Sequence, residues 1–228
     1  MAMTDEKIEG GKFTENLAYF IQKNRRLIFM ITGALILIVA GFVVVLSVQD
    51  RIRTRALSAV EAFNDRYEVL RFDINESAKE EEVAALLEEL SAFAQKTAAF
   101  SGARSYALIA SIHMDRKNWA EAERNWTLAA EKGKKTYLMA VASFNAGVAA
   151  EEQGNIEAAI THYGKSLALA DDFPHAPRAQ FAIGRLQEEQ QNREAALEAY
   201  RALMEKWSSE TVWVNLANSR IIALNGNT

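Results

Sequence analysis

Cysteine is absent from the 228 residues. That excludes disulfides, thiolate nucleophiles, cysteine-zinc sites and lipidation at an N-terminal cysteine. The absence is compatible with an oxidising compartment without indicating one. Proline occurs only as Pro174 and Pro177, so almost nothing in the chain interrupts a helix. There is no excess of positive charge: the net charge is −4, which gives no global field to attract nucleic acid. What is abundant is alanine, glutamate, leucine and lysine, the residues of helices. A hydrophobic content of 50% with 25% charged residues fits a folded protein of one or two domains. Valine and isoleucine gather at 28–48 instead of alternating along strands. The fold class expected is all-α.

Catalytic signatures are missing as well. HExxH, a glycine-rich phosphate loop and Gly-x-Ser-x-Gly do not occur. The three histidines, His113, His162 and His175, are scattered, and the acidic runs "KEEEV", "LEEL" and "QEEQ" have the character of solvated helix faces. No catalytic, metal or cofactor site and no small-molecule substrate is expected.

One run stands apart. "LIFMITGALILIVAGFVVVLSV", 27–48, contains no charge. As a helix it spans about 33 Å at ~1.5 Å per residue, against a hydrocarbon core of about 30 Å. A signal peptide has an apolar stretch of only about 7–15 residues followed by a small-residue cleavage site. This run is longer and leads into "VQDRIRTR", which favours an uncleaved transmembrane anchor. Gly33 and Gly41 are too far apart for a GxxxG dimer motif. Charge leaves orientation nearly tied: Lys7, Lys12, Lys23, Arg25 and Arg26 precede the span, and Arg51, Arg53, Arg55 and Arg66 follow it. Residues 1–26 form a tail. Its start, "MAMTDEKIEGGK", has the composition of a disordered segment. Its end, "FTENLAYFIQKNRR", places Phe13, Leu17, Phe20 and Ile21 on one helical face, either as a membrane-lying lead-in or as a plain helical extension of the span.

Beyond the span the chain repeats itself. "KNWAEAERNW" at 117–126, "GNIEAAITHY" at 154–163 and "QNREAALEAY" at 191–200 share their columns at an interval of 37. Asn118, Asn155 and Asn192 fall in one column, and Ala122, Ala159 and Ala196 in another. Trp126, Tyr163 and Tyr200 make a third, and Ala110, Gly147 and Gly184 a fourth. Asparagine at a helix start accepts a hydrogen bond from an unpaired backbone N–H. The small residues allow helices of a pair to approach, and the aromatics are expected to fill space between repeats. A fixed period in this range is the signature of a solenoid of stacked helix pairs sharing one core.

These columns resemble the tetratricopeptide repeat. The resemblance is carried by Ala146, Gly147, Gly154, Ala159 and Tyr163, by Ile183, Gly184, Ala196 and Tyr200, and by Tyr106, Ile109, Ala110, Ala122, Trp126 and Ala129. The period is 37 instead of 34 and the family's closing proline is missing, so the extra residues are assigned to longer helices or turns such as "DDFPHAP". Residues 49–100 read as a degenerate first helix pair, "IRTRALSAVEAFNDRYEVLRF" and "EEEVAALLEELSAFAQ" joined through "DINES". Residues 101–228 read as the solenoid proper, closed by a capping helix in "SETVWVNLANSRIIAL" with Trp213, Leu216 and Ile221 inward. The architecture expected is one N-terminal transmembrane helix, then a tetratricopeptide-type solenoid of about four helix pairs and a cap.

The resemblance also implies a ligand face, the concave side lined by the first helix of each pair. Its candidate peptide groove comprises Phe144, Val148, Glu151, Glu152, Phe181, Arg185, Glu188 and Glu189. Phe144 and Phe181 again share one column, and either grip a peptide or pack into the core. The lysine and asparagine clamp by which some members hold a C-terminal carboxylate is missing. The whole layout resembles bacterial inner-membrane proteins of the ancillary Sec-translocon type. That likeness implies a cytoplasmic N-terminus, a periplasmic repeat domain, and the translocon and membrane-anchored chaperones as partners. An adaptor of another envelope-assembly, division or motility complex, and a cytosol-facing receptor, are the alternatives.

Overall fold

The computed structural model describes residues 3–72, 76–134, 136–168 and 173–226. Every regular element among them is a helix. Helix α1 runs Met3–Arg71, α2 Glu76–Lys96, α3 Ala99–Asp115, α4 Trp119–Lys132 and α5 Leu138–Glu152. Helix α6 covers Ile156–Ser166, α7 Ala176–Glu189, α8 Arg193–Lys206 and α9 Thr211–Gly226. Parts of the joining segments "DINES" and "DDFPHAP" lie outside the described residues.

By internal packing the chain divides into Met1–Thr54 and Arg55–Thr228. The first part is one stretch of α1. Its helix begins at Met3, so the polar start is helical where composition suggested disorder. Extending an existing helix adds a hydrogen bond per residue without a new nucleation step. The apolar run lies in this stretch, and α1 is the one helix among the described residues long and apolar enough to cross a membrane. Its side chains are bare: Phe29 and Leu37 are 76% and 74% exposed. In the lead-in, Leu17, Phe20 and Ile21 are exposed too, and the side chain of Phe13 lies outside the described residues.

The second part is a run of helix pairs. The end of α1 pairs with α2, burying Tyr67 and Leu70 among Val83, Leu86 and Leu90. Three repeats follow: α3–α4, α5–α6 and α7–α8, each with a first helix A and a second helix B. The turn inside each repeat is built the same way. Lys117, Gln191 and Gly154 take positive φ of 58°, 60° and 74° in one column. The next residue's N–H reaches back to the fifth residue before it, Asn118 to His113, Asn155 to Ala150 and Asn192 to Gln187, at 2.8–2.9 Å. This is a Schellman closure of helix A. The same asparagine then opens helix B. Asn155 and Asn192 accept from the N–H of Ala158 and Ala195 at 3.2 and 3.4 Å, whereas Asn118 holds the position without that bond. One residue thus ends one helix and starts the next, which keeps the turn short.

The small-residue column does what close approach demands. A Cβ on Gly147 would stand 2.8 Å from the Tyr163 ring, and one on Gly184 2.5 Å from the Tyr200 ring. The aromatic therefore packs onto helix A of its own repeat. The same rings also belong to the cores shared with the next helix, Tyr163 with Ala179 and Ala182 of α7 and Tyr200 with Ala217 of α9, so each fills the space between repeats as expected while lying over the glycine of its own helix A.

Helix α9 closes the run with Ala217 fully buried and Trp213, Val214, Ile221 and Leu224 packed around it. Leu216, expected inward, is 43% exposed. At 3.6 residues per turn, 217, 221 and 224 share a face with 213 and 214, and 216 falls about 100° away.

Candidate functional site

Polar side chains tie the repeats together in a pattern with the same period. Glu151 and Glu188 occupy one column of helix A. The Tyr163 hydroxyl donates to Glu151 at 3.0 Å, and the Tyr200 hydroxyl donates to Glu188 at 2.5 Å. Each glutamate also takes an arginine from the next helix of the A face. Arg185 of α7 reaches Glu151 at 2.5 Å, and the Arg220 Nε of α9 reaches Glu188 at 3.0 Å. Burial, reinforced by the neighbouring carboxylate, pushes both tyrosine hydroxyls well above their ordinary range, so they remain donors. The hydrogen bond from Arg220, helped by the one from Tyr200, holds the Glu188 carboxyl below the usual carboxylate range. Repeat one departs from this: Met114 stands in the glutamate column, and its sulfur accepts the Trp126 indole N–H at 3.1 Å.

Around these ties lies a hollow of about 300 Å³ between α5, α7 and α9. It gathers Phe144, Val148, Glu151, Glu152, Phe181 and Arg185 of the sequence-derived groove. Glu188 and Glu189 stand outside its lining. Glu188 is engaged by Tyr200 and Arg220, and Glu189 lies 3.9 Å from Arg185. The two phenylalanines differ in state. Phe144 is 6% exposed, with the rings of Tyr163, Phe173 and His175 at 5.4–5.8 Å, so most of it is core. Phe181 is half-buried between Tyr200 and Trp213, at 5.4 and 5.7 Å.

Sequence reasoning left out Arg178 and Trp213. Arg178 is exposed, with its guanidinium 5.3 Å from the Phe144 ring centre. It sits one turn before Phe181 on the same face of α7, so the i, i+3, i+7 series 178, 181, 185 was the available signal. Trp213 belongs to the cap, where the period is not kept, and no column pointed to it. The hollow therefore offers aromatic and aliphatic surface, the Arg185–Glu151 pair, and the exposed Arg178 and Glu152 at its edge.

The histidines have structural surroundings. His162 faces Glu123 at 3.0 Å, and His175 stacks on Phe144. Burial holds the His113 imidazole below its usual range, in the neutral form. No group of three or more metal-ligating side chains occurs among the described residues.

Stacked helix pairs with a common turn, a small-residue column and a matching aromatic define a helical-repeat protein of the tetratricopeptide kind. A TPR repeat-containing protein of Treponema pallidum (strain Nichols) is 32% identical over 224 residues, covering 90% of this chain and 91% of its own length. The chain belongs to that family of TPR repeat-containing proteins. A family model described as a domain of unknown function (DUF6340) also matches residues 108–206, most of the three repeats.

Proposed function

We propose that the protein is a non-enzymatic, single-span scaffold of a bacterial inner membrane. In this reading the N-terminus is cytoplasmic and the repeats are periplasmic. They bind other proteins during secretion and envelope biogenesis, with the Sec translocon and membrane-anchored chaperones as the partners. The observation that carries the reading is the junction of two features in one chain. A bare apolar helix long enough to cross a bilayer accompanies helical repeats whose A face holds an apolar hollow with a charged edge. In water the exposed run from 27 to 48 would be an untenable apolar surface, and in a bilayer it is satisfied. The repeats supply shape and side-chain chemistry for a peptide segment, and Phe181, Val148 and Trp213 form the apolar strip over the buried Phe144, with Arg178 and Glu152 to orient it.

Two measurements test this. Alkaline phosphatase fused after Thr228 should be active, and a fluorescent protein at the same place dark; the opposite pair would make the protein a cytosol-facing receptor. Crosslinking in native membranes, with identification of the captured proteins, should return translocon subunits or periplasmic chaperones. Recovery of a division, motility or other assembly complex in their place would replace the secretion reading while keeping the scaffold.

A further inference from the structure

The A face carries a second hollow, of about 540 Å³, over the end of α1, helix α3 and the start of α5. The repeat relates it to the smaller one. On its central helix, Arg104, Ala107, Leu108 and Ser111 stand two periods before Arg178, Phe181, Ala182 and Arg185. Three of these four columns differ, and the one at 107 loses the most bulk. Repeats two and three place Phe144 and Phe181 there, each ring 5.4 Å from the tyrosine of its own helix B. Repeat one has Ala107. Its helix B aromatic does not move over to compensate, because Trp126 is buried and bonded to Met114. A ring that the chain supplies to itself twice is missing the third time.

The walls of this space are Val60, Leu108, Leu138 and Val141, with Tyr137 at the rim, 63% exposed. Polar groups edge it: Asn64, Ser111 and the Glu61–Arg104 ion pair at 2.6 Å. Its lining is mixed, with apolar and hydrogen-bonding side chains in similar share. That combination suits an aromatic side chain with a polar tip better than an aliphatic one.

We infer that the hollow over α1, α3 and α5 seats a tyrosine or tryptophan side chain presented by a polypeptide partner, in the place that phenylalanine fills in the next two repeats. The inference rests on the proposed protein-binding role only for the source of that side chain. An aromatic anchor held in a preformed pocket is the usual centre of a protein–protein contact.

The test uses the full chain in lipid nanodiscs, since detergent would compete for an apolar hollow. Methyl NMR follows titration with N-acetyltyrosinamide, and with N-acetylleucinamide and N-acetylalaninamide for comparison. Saturable shifts of the Ala107, Leu108, Leu138 and Val141 methyls are expected with the tyrosine compound. They should be weaker by about tenfold with leucine and missing with alanine. Ala107→Phe copies the neighbouring repeats, so it should fold and abolish the shifts. Tyr137→Ala, at an exposed rim position, should weaken binding several-fold and serves if Ala107→Phe misfolds. Absence of saturation, equal response to the alanine compound, or shifts unchanged in both variants would overturn the inference. Shifts confined to the Val148 and Ala182 methyls, which line the smaller hollow, would also overturn it, while leaving the proposed function in place. Failure of the topology or crosslinking experiments would leave these spectra unaffected.

Discussion

Repeat one and repeat three run on the same backbone with different chemistry at their edges. In repeat three a phenylalanine, a tyrosine hydroxyl, a glutamate and an arginine from α9 interlock across the A face. In repeat one the first three positions hold Ala107, Trp126 and Met114, and on the next helix A Val148 stands in the column of Arg185, the arginine that reaches Glu151 one repeat later. The columns change together. Where the glutamate is lost, the arginine opposite is lost with it, so neither junction leaves a charge without its partner. An unpaired charge in such a place is costly, whereas exchanging the whole set for apolar groups is nearly neutral. The comparison shows a fold whose turns and close approaches are fixed and whose junction chemistry can vary.

The largest effect should come from the phenylalanine column. Phe144→Ala removes a ring that is almost wholly buried and should cost about 3–5 kcal/mol. Phe181→Ala, half-buried, should cost roughly half of that, and Ala107→Phe should cost nothing in thermal melts. Equal losses at 144 and 181 would erase the contrast between core and groove. Crosslinking yields on the same variants separate lost binding from lost folding, since Phe181→Ala should reduce partner capture at temperatures where it stays folded.

Next come the glycines. Gly184→Leu should overpack against Tyr200 and cost about 1–3 kcal/mol or more. Gly164 in α6 has open space where a Cβ would go, so Gly164→Ala should stabilise by roughly 0.5–1 kcal/mol. If both changes melt alike, close approach is not what selects glycine at 184.

The charged junction is smaller and depends on pH. The Glu188 carboxyl has a folded value below its ordinary 4.5, chiefly through Arg220. Its contribution is therefore complete above the unfolded value and is lost as pH falls through the depressed folded value. Glu188→Gln should cost about 1–3 kcal/mol at neutral pH and flatten the melting curve's dependence on pH below about 5. Repeat one, with Met114, has no such group to titrate. A variant that melts with the wild-type pH profile would remove the Glu188 tie from the energetics.

The smallest effects lie in the turns. Lys117 and Gln191 adopt the left-handed conformation that Gly154 adopts without penalty. Lys117→Gly and Gln191→Gly should each stabilise by about 0.5–1 kcal/mol, and Gly154→Ala should destabilise by about 1 kcal/mol, read from denaturant midpoints.

Much of this was legible in the sequence, for a definite reason. The interval of 37 exposed each column, and each column answers one local need: asparagine for the helix start, glycine for the tyrosine ring, phenylalanine for the A face. The helix pairs, the closing helix and most lining residues of the smaller hollow follow from that. Other features required contact information. That Tyr163 meets helix A of its own repeat as well as that of the next is not encoded in spacing. The inward face of α9 was misjudged at Leu216 because that helix is apolar nearly all round, and its period gives no unique stripe. Trp213 was correctly expected inward, but no column of the repeat marked it as lining the hollow. The larger hollow was hidden because it arises from a residue that is not there, and Ala107 attracts no notice until its neighbours in the column are seen as rings.

The paired edges also dictate the order in which the repeats can be joined. Repeat three carries both Arg185 and Glu188, so its leading edge matches its own trailing edge, and copies of it could follow one another without limit. Repeat two leads with Val148 and trails with Glu151, so it suits a predecessor ending in methionine and a successor beginning with arginine. Exchanging repeats two and three would set Arg185 opposite Met114 and Val148 opposite Glu188, stranding a charge at each seam. The array therefore reads in one direction only, and its sequence of repeats is part of its chemistry.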